Sequence, residues 1–407
     1  MLAPHRRPRT LLALGLAALL ALPFAGCSSD DASAPDDGGS AGTGAPSPAA
    51  EPIVFNGQGN NLDAYAVEPG DDGTFATQRV FETKDTDPDA GRDINAQICF
   101  FPPTEDGERW FIAGEDTNQD DPGGSAGWGI FRLDGDRVGE LEATQLGKLV
   151  PTFQPANDNP ENYGCAVLSD GRVLTTDVGN QAAGDGDGQL IVWFPPLVGG
   201  EYPEFPEVAY CKIDVGLPTA QSILLKDDDE VYVAASRAGV FRYRGPFPTS
   251  PDAAGGCGKQ DATGAPMADE VDKELFIASG ENGMITPAGL APAPDGGLYV
   301  SSVFTGVIDE YDADGTFRRT ILQPPEGESL GEETFSTGTP LGIGVAPDGT
   351  LFYADIGVVV TPDDVGPGDG NGSVRRIRFV DGEPQPPETL AVGLAFPDGI
   401  GIFDPTA

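Results

Sequence analysis

Histidine is all but missing. The chain has one in 407 residues, His5, and it lies in a stretch that reads as an export signal, so the mature protein is expected to have none. A Ser-His-Asp or Cys-His hydrolase needs imidazole as its base, and most catalytic zinc sites use it as a ligand; both are excluded. Carboxylate, Lys or Tyr remain for acid–base work, and hard oxygen ligands of the kind calcium takes remain for metal binding. Cations are scarce too: 23 Lys and Arg stand against 65 Asp and Glu, a formal charge of −42. Such a surface repels phosphate backbones, which excludes nucleic acid as a partner. Long apolar runs are limited to Leu11 to Gly26, short for a spanning helix, and no second one follows.

What is present begins with that run. A basic start (Arg6, Arg7, Arg9), the apolar stretch and a small-residue exit make a secretory signal over 1–26. Phe24-Ala25-Gly26-Cys27 resembles a bacterial lipobox, which implies that Cys27 is lipidated and becomes the new N-terminus. An ordinary signal with a chance cysteine is the plainer alternative, and Arg6-Arg7 also fits a twin-arginine element. Residues 27–52 are Ser, Asp, Gly, Ala and Pro with no large apolar side chain, the composition of a disordered tether. The expectation is a monomeric lipoprotein held on a membrane by its N-terminal lipid and facing the periplasm or exterior.

Residues 53–407 read as one all-β domain. Gly (57) and Pro (38) are in excess, which argues for short strands joined by tight turns. One phrase recurs: a short apolar strand, an Asp-Gly type turn, a second apolar strand. It appears at Tyr163 to Asp177, Ala288 to Ser302 and Leu341 to Asp355. Weaker copies occupy Ala220 to Ala234 and Ala96 to Gly114. This is a hairpin signature. The turn residues Asp170, Asp228, Asp295 and Asp348 recur about every 60 residues, the length of a four-stranded propeller blade. Third strands follow at Gly129, Gln189, Gly239, Gly306 and Ser373. The chain ends on a lone first strand, Phe396 to Phe403, and the body begins with strands at Ile53, Leu62 and Thr77 that lack a first partner. The sequence therefore predicts a six-bladed β-propeller whose last blade is closed by both termini. A seventh blade within Thr249 to Lys273 is the alternative.

These phrases resemble NHL-repeat propellers and the wider senescence-marker/gluconolactonase superfamily, from about Asn56 to Asp404. That scaffold serves lactonases, other hydrolases and non-catalytic binding propellers, so it does not choose a function. The gluconolactonase-like members hold a divalent ion at the channel mouth with one Glu, two Asn and one Asp. The resemblance implies that Asn95, Asn162 and Asp398 are the matching metal ligands here, with calcium as the ion. The Glu is not recovered at a matching position, and Glu115 is a poor substitute. This assignment aligns the first strands on Gly164, Gly289, Gly342 and Gly399, with Gln97 and Gln221 equivalent. Just before these, Asn95, Asn162, Thr219 and Asp398 would face the mouth, while the other two blades offer Pro287-Ala288 and Pro340-Leu341.

Second-strand ends supply Glu115-Asp116, Asp177, Ser301-Ser302 and Asp355. Asp177 and Asp355 are candidate catalytic bases; as turn residues they would instead accept backbone N–H bonds. Long Gly/Asp-rich loops follow at Thr117 to Trp128, Val178 to Gly188 and Ile356 to Gly372. Two of them carry Asp185-Gly-Asp187-Gly and Asp369-Gly-Asn371-Gly, which alternate oxygen ligands with glycine as calcium loops do; solvated loops are the alternative. Trp128 and Trp193 are expected in packing between blades. Cys99, Cys165, Cys211 and Cys257 are an even set in an exported chain, which suggests two disulfides. Three pairings are open. Placement in neighbouring first strands favours Cys99–Cys165, and placement near outer edges or connections favours Cys211–Cys257. The functional expectation is a propeller that binds a small molecule or protein at its channel mouth without chemistry. The alternative is a calcium-dependent lactonase or esterase.

Overall fold

A computed structural model describes residues 51–82, 92–104, 106–117, 127–149, 162–178, 188–195, 208–362, 365–368 and 370–406. The side chains at 92, 93, 95, 115–117 and 162 lie outside that description. So do Cys27, the signal and nearly all of the tether.

Six blades of four antiparallel strands stand around an axis, the third carrying two further short strands at its outer edge. Blade 1 is built from both ends of the chain. Its inner strand is Pro397–Phe403, followed outward by Ile53–Gln58, Asn61–Pro69 and Phe75–Glu82. The pairing that closes the ring sets Ile53 opposite Phe403, Val54 opposite Ile402 and Asn56 opposite Ile400. Blades 2 to 6 run inner to outer in chain order. Their inner strands are Arg92–Phe100, Asn162–Val167, Ala220–Asp227, Pro287–Pro292 and Pro340–Val345. The predicted hairpins, third strands and split blade all occur where the repeats put them.

Each blade is too thin to bury its own faces, so the core lies between blades. Among the described residues, six apolar clusters each join two neighbours. Blades 1 and 2 share Phe55, Phe111, Phe131 and Phe403. Blades 2 and 3 share Trp110, Trp128 and Trp193, as expected for Trp128 and Trp193. The remaining interfaces are filled in the same way. Burying one such side chain contributes about 1.5–3 kcal/mol, so stability depends on all six interfaces closing together. The C-terminal strand is tied down further. Phe403 meets Phe100 with ring centroids 5.1 Å apart, and Arg109 Nη2 donates to the Pro405 carbonyl at 2.7 Å.

Both favoured disulfides are present. Cys99–Cys165 joins the inner strands of blades 2 and 3, and Cys211–Cys257 ties the connection after blade 4's third strand to the outer strand of blade 3. That connection is not a seventh blade. Its hairpin, Lys259–Gln260 with Pro266–Met267, extends the outer edge of blade 3 through a parallel pairing of Lys212 with Met267. Lys212 and Asp261 form an ion pair there at 2.6 Å with both side chains buried.

The inner strands approach one another very closely. A Cβ added to Gly399 would overlap the Ala96 carbonyl of blade 2, and one added to Gly342 would overlap the Asp398 carbonyl of blade 1. Gly399→Ala is therefore expected to destabilise the protein by about 3 kcal/mol or more, because backbone and not a flexible side chain must yield. Gly382→Ala has open space but a φ of +80°, and is expected to cost only about 1 kcal/mol. Chemical denaturation of both variants checks the contrast; equal losses would contradict it.

Candidate functional site at the channel mouth

All six inner strands break register with their second strands at the same level. The interruptions fall between Asn95 and Ile98, Asn162 and Cys165, Ala220 and Ile223, Pro287 and Leu290, and Pro340 and Ile343, and at the matching point of blade 1. These bulges bend each strand toward the axis and re-aim two residues per blade. The bulge pairs are Ala96-Gln97, Tyr163-Gly164, Gln221-Ser222, Ala288-Gly289, Leu341-Gly342 and Asp398-Gly399.

This register corrects the sequence alignment in two places. Ser222, not Gln221, stands at the glycine level of blade 4. Asp398 is also not level with Asn95 and Asn162. Those two pair with Gly114 and Asp177 at the mouth end, where blade 1 has Pro397 opposite Gln58. Asp398 is one residue deeper, inside the bulge. A one-residue offset changes which way a strand residue faces, and sequence spacing alone cannot register a bulge.

Polar side chains then stitch the ring from inside. Gln97 donates to the Ile223 carbonyl at 2.9 Å and accepts from the Ile223 N–H and the Ser222 hydroxyl, each at 3.1 Å. Ser222 accepts in turn from the Leu290 N–H at 3.3 Å. Blades 2, 4 and 5 are thereby joined across the axis. Thr176 and Ser301, on second strands opposite a bulge, each take the bulge glycine's N–H at 2.7 Å and donate to the next blade's carbonyl, Gln221 and Leu341 respectively. Gln97, Ser222, Thr176 and Ser301 were not picked out from the sequence as axial groups. The only available signal was polar residues where other copies carry glycine.

Asp398 is 1 % exposed. One carboxylate oxygen accepts the Ala96 N–H at 3.1 Å, and the Tyr163 hydroxyl is the other group that acts on the carboxylate. Burial pushes its pKa up to about 7, against the opposing pull of the Ala96 N–H and the Tyr163 hydroxyl. With Gln97, Tyr163 and Ser222 it lines a cavity of about 10 Å³, room for one water molecule at most. Calcium takes six to eight oxygens. Among the described side chains around Asp398 no other carboxylate is present, and among the described residues no three His, Cys, Asp or Glu side chains converge as metal ligands. The side chains of Asn95 and Asn162 lie outside the described residues.

The other two carboxylates sit at second-strand ends three blades apart, on opposite sides of the ring. Asp355 is wholly buried and saturated. It accepts from the Thr339 and Gly357 N–H groups at 2.7 and 3.0 Å, from the Ser373 hydroxyl at 2.8 Å, and from Arg375 at 2.9 Å. Asp177 is also buried, with Gln189 donating at 3.4 Å. Ser302, at the equivalent level of blade 5, accepts from the Ile285 and Thr286 N–H groups. Backbone capping, the structural alternative for this position, describes both Asp355 and Ser302.

Above blades 5 and 6 the mouth is apolar. Ala288, Val303, Leu341, Ile356 and Val358 form a buried layer, with Phe304, Leu330, Val365 and Phe396 half-buried on top. The loop from Ile356 to Gly372 supplies part of this cover as a hairpin, Val358–Val360 with Val365–Pro367. Asp369 and residues 118–126 and 179–187, which include the Asp185-Gly-Asp187-Gly phrase, lie outside the described residues. Phe396 has a φ of +48°, a left-handed conformation that is costly for an aromatic residue.

No protein-family model matches the chain, and no curated protein matches it. Solved structures do resemble it. A chain of a nidogen/laminin complex is 12 % identical over 86 % of this chain and 98 % of its own, with a TM-score of 0.46. A protein of unknown function from Bacteroides caccae gives the same figures. Virginiamycin B lyase from Staphylococcus aureus is 13 % identical over 84 % of this chain and 81 % of its own, with a TM-score of 0.41. At these identities the likeness concerns architecture, and the blade count stands on the strand pairing itself.

Two outcomes follow from the channel. The folded protein binds the Asp398 proton more tightly than the unfolded chain does, so this group's contribution to stability is complete below the unfolded carboxylate pKa and is lost as pH rises through about 7. Asp398→Asn should therefore raise the melting temperature at pH 8 and change it little below about pH 4. The gain should grow by at most about 1.4 kcal/mol per pH unit between the ordinary carboxylate range and about pH 7 and then level off, and a gain confined to acid pH would contradict this account. Gln97→Leu strips partners from Ile223 and Ser222 and should cost about 2–3 kcal/mol in denaturant titration.

Proposed function

We propose that this chain is a cell-envelope lipoprotein, anchored through Cys27, whose propeller binds a ligand or protein partner at its channel mouth without catalysing a reaction. One observation carries this reading. Each carboxylate that chemistry would need is withdrawn from solvent: Asp177, Asp355 and Asp398 are at most 3 % exposed. Asp355 is also locked by its own hydrogen bonds, and among the described residues the cavity beside Asp398 is only about 10 Å³. General acid–base catalysis requires the group within hydrogen-bond reach of the substrate, and the axial cavity admits a single water. The loop and hairpin surface above the channel is the part of this face that a partner can touch.

One feature favours the second reading, a calcium-dependent lactonase or esterase. Asp398 holds one carboxylate oxygen that no backbone N–H takes, a place an ion could occupy, and Asp177 or Asp355 would then be the base. Asn95, Asn162 and Asp398 would hold the ion, which when bound would polarise the substrate carbonyl. In the binding-only reading, the purified mature protein shows no hydrolysis of a lactone and ester panel above buffer, with calcium or with chelator. Turnover that chelator removes, and that Asp398→Asn also removes, would establish the enzymatic reading instead.

A further inference from the structure

The apolar cover over blades 5 and 6 differs from the six clusters between blades in lying at the channel mouth, with part of it open to solvent. Phe304, Leu330, Val365 and Phe396 are half-buried there. Ile285, tied to this layer through its N–H bond to Ser302, is 52 % exposed. The margin is acidic. Glu332 and Glu333 are exposed next to Leu330, on a segment whose Gly331 carbonyl accepts from Val360 of the hairpin at 2.7 Å. Glu281 is exposed in the turn that leads to Ile285. Among the described side chains, cations on this face are few. Arg375 is committed to Asp355 and the Ser336 carbonyl, and Arg237 lies at the blade 4 edge of the patch, in a turn bonded to Ser279. Paired arginines gather instead at the opposite ends of the strands, as in Arg132–Asp134, Arg172–Asp170, Arg318–Asp312 and Arg378–Glu388.

From this arrangement we propose that the patch docks a cationic amphipathic segment of a partner protein. Its apolar side chains would lie on Ile285, Phe304, Leu330, Val365 and Phe396, and its cations against Glu281, Glu332 and Glu333. This rests on the mouth-binding reading and names the partner's chemistry. Charge selects the occupant. A second copy of the chain carries the same −42. The chain's own tether holds Asp30, Asp31, Asp36 and Asp37 and no large apolar side chain. An anionic lipid surface is repelled as well. Each of these sets like charge against like, whereas a basic segment gains steering and complementarity.

The probe is a short Leu/Lys amphipathic helical peptide, with a Leu/Glu peptide of the same pattern as its counterpart. Binding is followed by fluorescence anisotropy, and its location by hydrogen exchange. The Leu/Lys peptide should protect the backbone at 283–286, 303–306, 330–333 and 358–360. Its binding should weaken with added salt, and by about tenfold in the Glu332→Lys/Glu333→Lys double variant. Glu383→Lys, on the opposite face, should leave it unchanged. Protection elsewhere, or equal binding by the double variant, overturns the proposal. If the Leu/Glu peptide protects the mouth and the Leu/Lys peptide does not, this inference fails while mouth binding stands. No protection of the mouth by either peptide counts against both.

Discussion

The pairing of Pro397–Phe403 with Ile53–Gln58 is the constraint on which the molecule depends. A ring of blades has no use for five good interfaces if the sixth is open. Each blade's apolar faces are covered only by its neighbours, and an open ring would expose two of them and an unpaired edge. Using the last strand as the innermost of blade 1 makes closure a pairing between segments more than 300 residues apart. The phenylalanine cluster between blades 1 and 2 and the Arg109 bond to Pro405 reinforce that junction.

Closure also decides what the axis can be. The inner strands come so near that glycine is required where backbone meets backbone, and the remaining space is laced by Gln97, Ser222, Thr176 and Ser301. Such a network is favourable only when nearly every member is satisfied, because an unpaired polar group in a water-poor interior costs more than a bond gains. Asp398 is held more sparsely than Asp355, by the Ala96 N–H and the Tyr163 hydroxyl, and burial moves its pKa up to about 7. The channel is thus a stay that holds the blades together. At the mouth lies the half-buried aromatic and aliphatic cover, acidic at its rim.

Much of this was legible in the sequence. Alternation, Asp-Gly turns and a recurring period give hairpins and blades because turn chemistry and pleat are local properties. The split blade could be read because strand types must balance around a ring. Both disulfides followed from where their cysteines fell in that scheme. The connection from Thr249 to Lys273 was harder. Its short strands join the edge of blade 3 through one parallel pairing, one disulfide and one buried ion pair, contacts with no sequence period.

The candidate site was legible only by residue type. The sequence identified Asp398, Asp177 and Asp355 as oxygen-bearing groups on the strands that line the channel, but a bulge adds residues without changing composition, so their level and facing were hidden. The sequence by itself determined the blades, their order and the acidic character of the surface, because these depend on local pattern and on counts. Tertiary structure alone decided that Asp398 lies one residue deeper than Asn95 and Asn162, that Asp355 is locked by Arg375, and that an apolar cover spans blades 5 and 6. Those outcomes depend on the distance between segments far apart in the chain, and only the packed ring sets that distance.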